Sequence, residues 1–320
     1  MRKLAAMSAV AVLAAPIASA QAEELSIATG GTGGVYFPLG GGLAELINRH
    51  VEGYSASAEV TGASVENVAL VARDNSDIAF ALADTVYQAY HGENDFEGRP
   101  EDNIRALASV YPNVVQIVTV EGSGINSLED LRGKRISVGA PGSGTEVSAR
   151  QILEASGITY DDISAERLNF NETADALRDG DIVAGFWSVG PPTSSIMNLA
   201  ATRTISFVPM TDEQINAALE VEPTFAAFTL AGGTYDGVSD DVSTIATPNV
   251  LIVNADMPDD LAYEIVKTLY ENTEFMIGTH PAAKDMTVEF SVESTPIPFH
   301  PGALRYLEEV GAEIQDHQRP

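Results

Sequence analysis

Cysteine is absent from the 320 residues, which excludes disulfides, thiolate nucleophiles and thiolate metal sites. Basic residues are scarce: 17 Lys and Arg stand against 46 Asp and Glu, a formal net charge of −29, or −31 once Arg2 and Lys3 are removed. A field of that sign disfavours nucleic acid and anionic lipid as partners and gives an anionic ligand no long-range steering. The five histidines, His50, His91, His280, His300 and His317, are too scattered to pair as metal ligands at helical spacing. A G-x-S-x-G elbow is missing as well, and carboxylate pairs carry no signal among so many acids. The chain therefore reads as a binder, not an enzyme, with no cofactor and no metal.

Long apolar runs are also lacking, except at the start. Arg2 and Lys3 precede an apolar stretch from Leu4 to Ala15 broken only by Ser8, followed by Pro16 and the small run Ala18-Ser19-Ala20. That order is the layout of a secretory signal peptide, and the stretch is too short to span a bilayer. Cleavage is expected after about Ala20, placing the product in the periplasm. The remaining chain is long enough for two domains, with 45% hydrophobic residues to build a core without disulfides.

What is present is a repeated β-α rhythm. Leu25–Thr29, Ser57–Thr61 and Ile78–Leu82 read as strands, and Pro38–His50, Val65–Arg73 and a stretch after Asp84 as helices. A β-rich stretch from Ala106 to Val120 leads to a second series. Its expected strands are Arg135–Gly139, Glu166–Phe170 and Ile182–Trp187, and its helices Thr145–Ser156, Ala174–Arg178 and Pro192–Ala200. Val250–Asn254 resumes the pattern as a strand, with one long or broken helix over Leu261–Gly278. The rhythm implies an α/β fold of parallel sheets covered by helices. Two such units with chain left over imply a discontinuous first domain, 21–114 plus 230–320, around a second, 115–229, with crossings near 112–118 and 225–232.

Two glycine-rich loops each lie between a strand and a helix. The first, Gly30 to Pro38, includes Thr32, Gly33, Gly34, Val35 and Tyr36. Glycine there lets backbone N–H groups approach a ligand, and the following helix adds unpaired donors and a positive dipole end. The dinucleotide fingerprint fails, because Tyr36 stands where the last glycine belongs. The second loop, Gly139 to Glu146, imitates a phosphate loop, yet Thr145 replaces its lysine and Glu146 its magnesium-binding hydroxyl. Ser143 and Glu146 also spell a capping box, while Ser143, Gly144 and Thr145 remain able to face an oxyanion. Ligands of open α/β sheets sit beyond the carboxyl ends of strands, so two loops imply a solute held between two domains. Asp84 and Ser64 read as helix caps or ligand contacts; Tyr111, Trp187, Gly190 and Pro191 stand at strand ends, as core or as cleft wall.

The chain resembles the TAXI family, the extracytoplasmic solute receptors of TRAP transporters. The resemblance rests on Ala28–Gly40, Thr61–Asn67, Asp77–Phe80 with Asp84, Tyr111-Pro112, Leu131–Ile136 leading to Gly139–Thr145, and Pro298–Ala303 before Arg305-Tyr306. It implies a two-domain clamshell of the periplasmic-binding-protein type (type II-like) with the ligand in the interdomain cleft. It implies a monomer that hands glutamate, glutamine or a 2-oxoglutarate-like dicarboxylate to TRAP membrane subunits. By position, the first loop, Ser64, Asp84, Tyr111, Ser143–Thr145 and Trp187–Pro191 would line the cleft. The alternatives are a receptor for an ATP-driven importer or a sensor kinase, and a periplasmic enzyme on the same scaffold.

Overall fold

The computed structural model describes residues 22–320, so the signal-peptide reading of residues 1–20 lies outside the described residues. The first β-α series is β1 (Glu23–Ala28), α1 (Tyr36–His50), β2 (Tyr54–Glu59), α2 (Ser64–Ala72), β3 (Ile78–Leu82) and α3 (Ala83–His91). A 17-residue strand, β4 (Ile104–Val120), then crosses the molecule. The second series is β5 (Arg135–Ser137), α4 (Gly144–Ala155), β6 (Ser164–Glu166), α5 (Phe170–Asp179), β7 (Ala184–Val189) and α6 (Ser194–Ala200). It continues through β8 (Ile205–Phe207), α7 (Asp212–Val221), β9 (Ala226–Leu230) and the 13-residue β10 (Val242–Asn254). Four helices follow: α8 (Asp259–Glu271), α9 (Thr273–Thr279), α10 (Val288–Ser294) and α11 (Pro301–Glu309).

The sheet order is β2-β1-β3-β10-β4-β7-β5-β6, with β8 also on β4 and β9 on β10. The triplets β1, β2, β3 and β5, β6, β7 are each parallel, but β10 runs antiparallel to β3 and β4, and β4 antiparallel to β7. The sheet is thus mixed rather than parallel, because each parallel triplet is extended by a long strand shared between the lobes. Pro112 of β4 opposes Pro248 of β10 at the middle of their pairing; neither contributes an N–H to the ladder. Residues 226–230 form β9, an outer strand on the first half of β10.

Two hydrophobic clusters underlie the lobes. One gathers Ile27, Leu39, Leu43, Phe80, Leu251, Ile265 and Phe299 around the first triplet and the C-terminal helices. The other packs Ile136, Val138, Ile152, Leu153, Phe186 and Ile245 beneath α4 and α7. One expected element differs in type. Glu166–Phe170 is not a strand: β6 ends at Glu166 and Phe170 opens α5, because Asn169 and Glu172 form a reciprocal capping box. Of the two forms expected over 261–278, the helix takes the broken one, parting at Asn272 into α8 and α9. Among the described residues no helix is long and apolar enough to cross a membrane.

Candidate functional site

A cavity of about 310 Å³ lies between the two triplets. From the first lobe it is lined by Gly30, Gly31, Gly34, Val35 and Tyr36, by Val60 to Ser64, and by Leu82. The first loop is folded by the Gly34 N–H donating to the Gly31 carbonyl at 3.1 Å, and α1 follows without a side-chain cap. Its first i−4 bond runs from Leu39 to Val35, so the Tyr36 and Phe37 amides have no carbonyl acceptor among the described residues. Ala63, the N-cap of α2, takes φ 78° and ψ −145°, a backbone region suited to glycine and typical of strained sites.

The second lobe contributes Ala140, Pro141, Ser143, Gly144, Thr145, Asn169, Phe170, Glu172, Ser188 and Val189, with Asn113 from the crossing strand β4. Gly139 turns the chain at φ +106°, and a side chain there would lie 2.9 Å from the Glu146 nitrogen. Half of the expected Ser143–Glu146 box forms: Ser143 Oγ accepts the Glu146 N–H at 3.2 Å, but the Glu146 carboxylate turns to Arg167. The Gly144 and Thr145 amides, like those of α1, have no carbonyl acceptor among the described residues. Two helix N-termini with unpaired donors therefore face one cavity from opposite lobes. No Lys, Arg or His is among the lining residues, and Glu172 is their one carboxylate. Any anionic group held here depends on backbone amides, hydroxyls and the side-chain amides of Asn113 and Asn169.

The lobes touch around the cavity. The Gly142 carbonyl accepts from the Val65 and Glu66 amides at 3.1 and 3.3 Å, so the second lobe caps α2 of the first. A Cβ on Gly62 would stand 3.0 Å from the Pro141 carbonyl, and one on Gly144 2.6 Å from both Ser64 Oγ and Leu82 Cδ1. These glycines allow the approach.

Of the residues singled out from sequence, Gly34, Val35, Tyr36, Ser64, Ser143, Gly144 and Thr145 line the cavity together. Thr32, Gly33, Asp84, Tyr111, Trp187, Gly190 and Pro191 do not. Thr32 and Gly33 instead join the seam: Asn171 Nδ2 donates to Thr32 Oγ1 at 3.4 Å, and Ser194 Oγ to the Gly33 carbonyl at 3.2 Å. Trp187 stands behind Phe170, ring centroids 6.0 Å apart, its indole N–H donating to Ser195 at 3.1 Å. Gly190 lies on the buried Tyr111 ring, and Pro191 follows it.

Asp84 is buried one layer below the wall. It accepts from Ser148 of α4 at 2.7 Å and from the Thr85 N–H at 2.5 Å. Burial first, then the nearby Glu222 carboxylate, push its carboxyl up to about 7. Glu222 is held by Gln88 of α3 and Gln151 of α4 at 2.9 and 3.1 Å, and by Thr224. Tyr36 donates its hydroxyl to Asn249 and stacks on Phe80 at 5.3 Å; burial raises its pKa.

Sequence reasoning missed Asn113, Asn169 and Phe170, whereas Ser188 and Val189 fall in the Trp187–Pro191 stretch expected at the cleft. Asn113 had a signal, standing two residues after Tyr111 and hence on the same side of a strand. Asn169 carried one too, as the first residue of an N-x-x-E box.

Fold and cleft together define a two-lobed α/β protein of the periplasmic binding type. The family model that matches, over residues 27–311, is that of the NMT1-like family. The chain belongs to that family. Among solved structures it is similar to the alkanesulfonate-binding protein SsuA from Xanthomonas axonopodis pv. citri bound to MOPS, with 14% identity and a TM-score of 0.52. That match covers 94% of this chain and 86% of the other. It is also similar to PhnD1 from Prochlorococcus marinus in complex with methylphosphonate, with 9% identity and a TM-score of 0.54 over 82% of this chain and 91% of that one.

Proposed function

We propose that the protein is an extracytoplasmic solute receptor that closes on one small organic solute and passes it, unchanged, to membrane subunits of a transporter. The observation that carries this reading is the cavity of about 310 Å³ walled by both lobes, with unpaired amides of α1 and α4 at its edge. On this reading the lobes are residues 21–114 with 230–320 and residues 115–229, and β4 and β10 connect them. The leader-like residues 1–20 direct the chain to the periplasm.

The TAXI-like motifs favour a TRAP transporter as partner, since their two glycine loops are the ones that border the cavity. They also favour glutamate, glutamine or a 2-oxoglutarate-like dicarboxylate as solute. The test is to denature the purified protein, identify any released molecule by mass spectrometry, and screen these solutes on stripped protein by thermal shift. A true ligand at 100 times its Kd adds about 2.7 kcal/mol of stability. Absence of both a released molecule and any shift overturns the proposal; turnover of a carboxylate without a partner makes the protein an enzyme. Co-purification with an ATP-driven importer in place of TRAP subunits would replace the partner but keep the receptor.

A further inference from the structure

The inner wall of the cavity holds polar atoms that the protein leaves without partners. Asn113, 2% exposed, donates its Nδ2 to the Ser188 carbonyl at 3.0 Å. That bond fixes the amide, because a carbonyl accepts only from the NH₂ side. Asn113 Oδ1, a pure acceptor, is left buried and unpaired, as is Ser188 Oγ at 4% exposure. Both residues line the cavity. The Tyr111 hydroxyl, behind the lining and two residues from Asn113 along β4, is also buried and unpaired, but it does not reach the cavity. Buried polar groups are nearly always satisfied, so unpaired groups along one cavity wall mark where a ligand supplies the partners.

We propose that this wall is a subsite for a hydrogen-bond-donating group of the solute, a hydroxyl or an amine, with Asn113 Oδ1 as its acceptor. The inference rests on the receptor reading and sharpens it. Ser188 adapts, since a hydroxyl both gives and takes; Asn113 Oδ1 only takes. A keto oxygen in the same place sets acceptor against acceptor. With a carboxylate held by the α1 and α4 amides, the class selected is a hydroxy or amino acid, against the matching 2-oxo acid.

The test is calorimetric titration of stripped protein with two matched series: lactate, alanine and pyruvate, and 2-hydroxyglutarate, glutamate and 2-oxoglutarate. In whichever series binds, the hydroxy or amino member is expected to bind at least about tenfold tighter than the oxo member, the scale of one unpaired buried group. Asn113→Leu is expected to bring that ratio to within about threefold; Ser188→Ala, a smaller change that keeps the Asn113 contact to the backbone, is expected to retain most of it. An oxo member that binds equally well or better in the wild type overturns the inference, as does a ratio unchanged in a folded Asn113→Leu protein. If neither series binds, the molecule released on denaturation decides, and one with no hydroxyl or amine overturns the inference while the receptor reading stands. A protein that binds and releases nothing loses both.

Discussion

Asp84 shows how burial sets the chemistry of a single side chain. Burial first, and Glu222 second, disfavour its charge and push its carboxyl up to about 7, well above the usual carboxylate range. The folded state therefore keeps a proton that the unfolded chain gives up near pH 4. Between pH 4 and 7 the folded form binds more protons, so this group's contribution to stability falls as pH rises and is flat above the window. Asp84→Asn is expected to melt close to wild type at pH 5 and about 2 °C or more above it at pH 8, read by calorimetry. An equal difference at both pH values would sink the assignment. Gly144 gives a second residue-scale outcome: Gly144→Val puts carbon against Ser64 and Leu82 of the opposite lobe. Solute affinity should fall by about tenfold or more while the denaturation midpoint moves little, since the clash exists only when the lobes meet. The glycine loops were legible in sequence because their composition has few other uses. Asn113 left only its two-residue spacing from Tyr111, a weak signal, because a lone polar residue in an apolar strand reveals its direction only once the register is known.

At the scale of elements, α5 tests the capping argument. Asn169 accepts from the Asn171 and Glu172 amides, both at 3.0 Å, and lines the cavity. Asn169→Ala should cost about 1 kcal/mol in urea denaturation and weaken solute binding as well, by loosening Phe170 at the cavity wall. Loss of binding with no loss of stability would remove the cap from the explanation. The same box explains why the strand expected at 166–170 does not form: Leu168 and Phe170 alternate with polar residues, but the cap outweighs alternation and opens α5 at Phe170. Strands β1 and β3 and helices α1, α2 and α4 were legible from periodicity and flanking glycines. Strand β8 has three residues and exists by pairing with β4, so local sequence carries little of it. Helices α7 and α11 did leave marks, a Thr211–Gln214 box and Pro301 after the capping His300.

The whole molecule carries a net charge of −29 but no basic residue in the cavity lining. Approach of a dianion is therefore opposed by the field and aided only at contact. For 2-oxoglutarate the association rate should rise as salt goes from about 0.01 to 0.15 M, where the Debye length shrinks from about 30 to 8 Å. Trp187, the only tryptophan and stacked behind Phe170, reports this by stopped-flow fluorescence. Neutral glutamine should show no such rise, and a rate that falls with salt would mean hidden basic steering.

The position of β10 between β3 and β4 also sets an order in time. Strands β5, β6 and β7 find their partners within residues 114–189, whereas β3 waits for residues 249–253. A chain emerging from its N-terminus can finish the middle of the molecule while its first strands still present an open edge. Pulse-labelled hydrogen exchange during refolding should protect the amides of β5 and β7 before those by which β3 pairs with β10. Until the last third of the chain arrives, the edge of β3 away from β1 is an open template for any passing strand, so the interval of greatest aggregation risk falls late in synthesis.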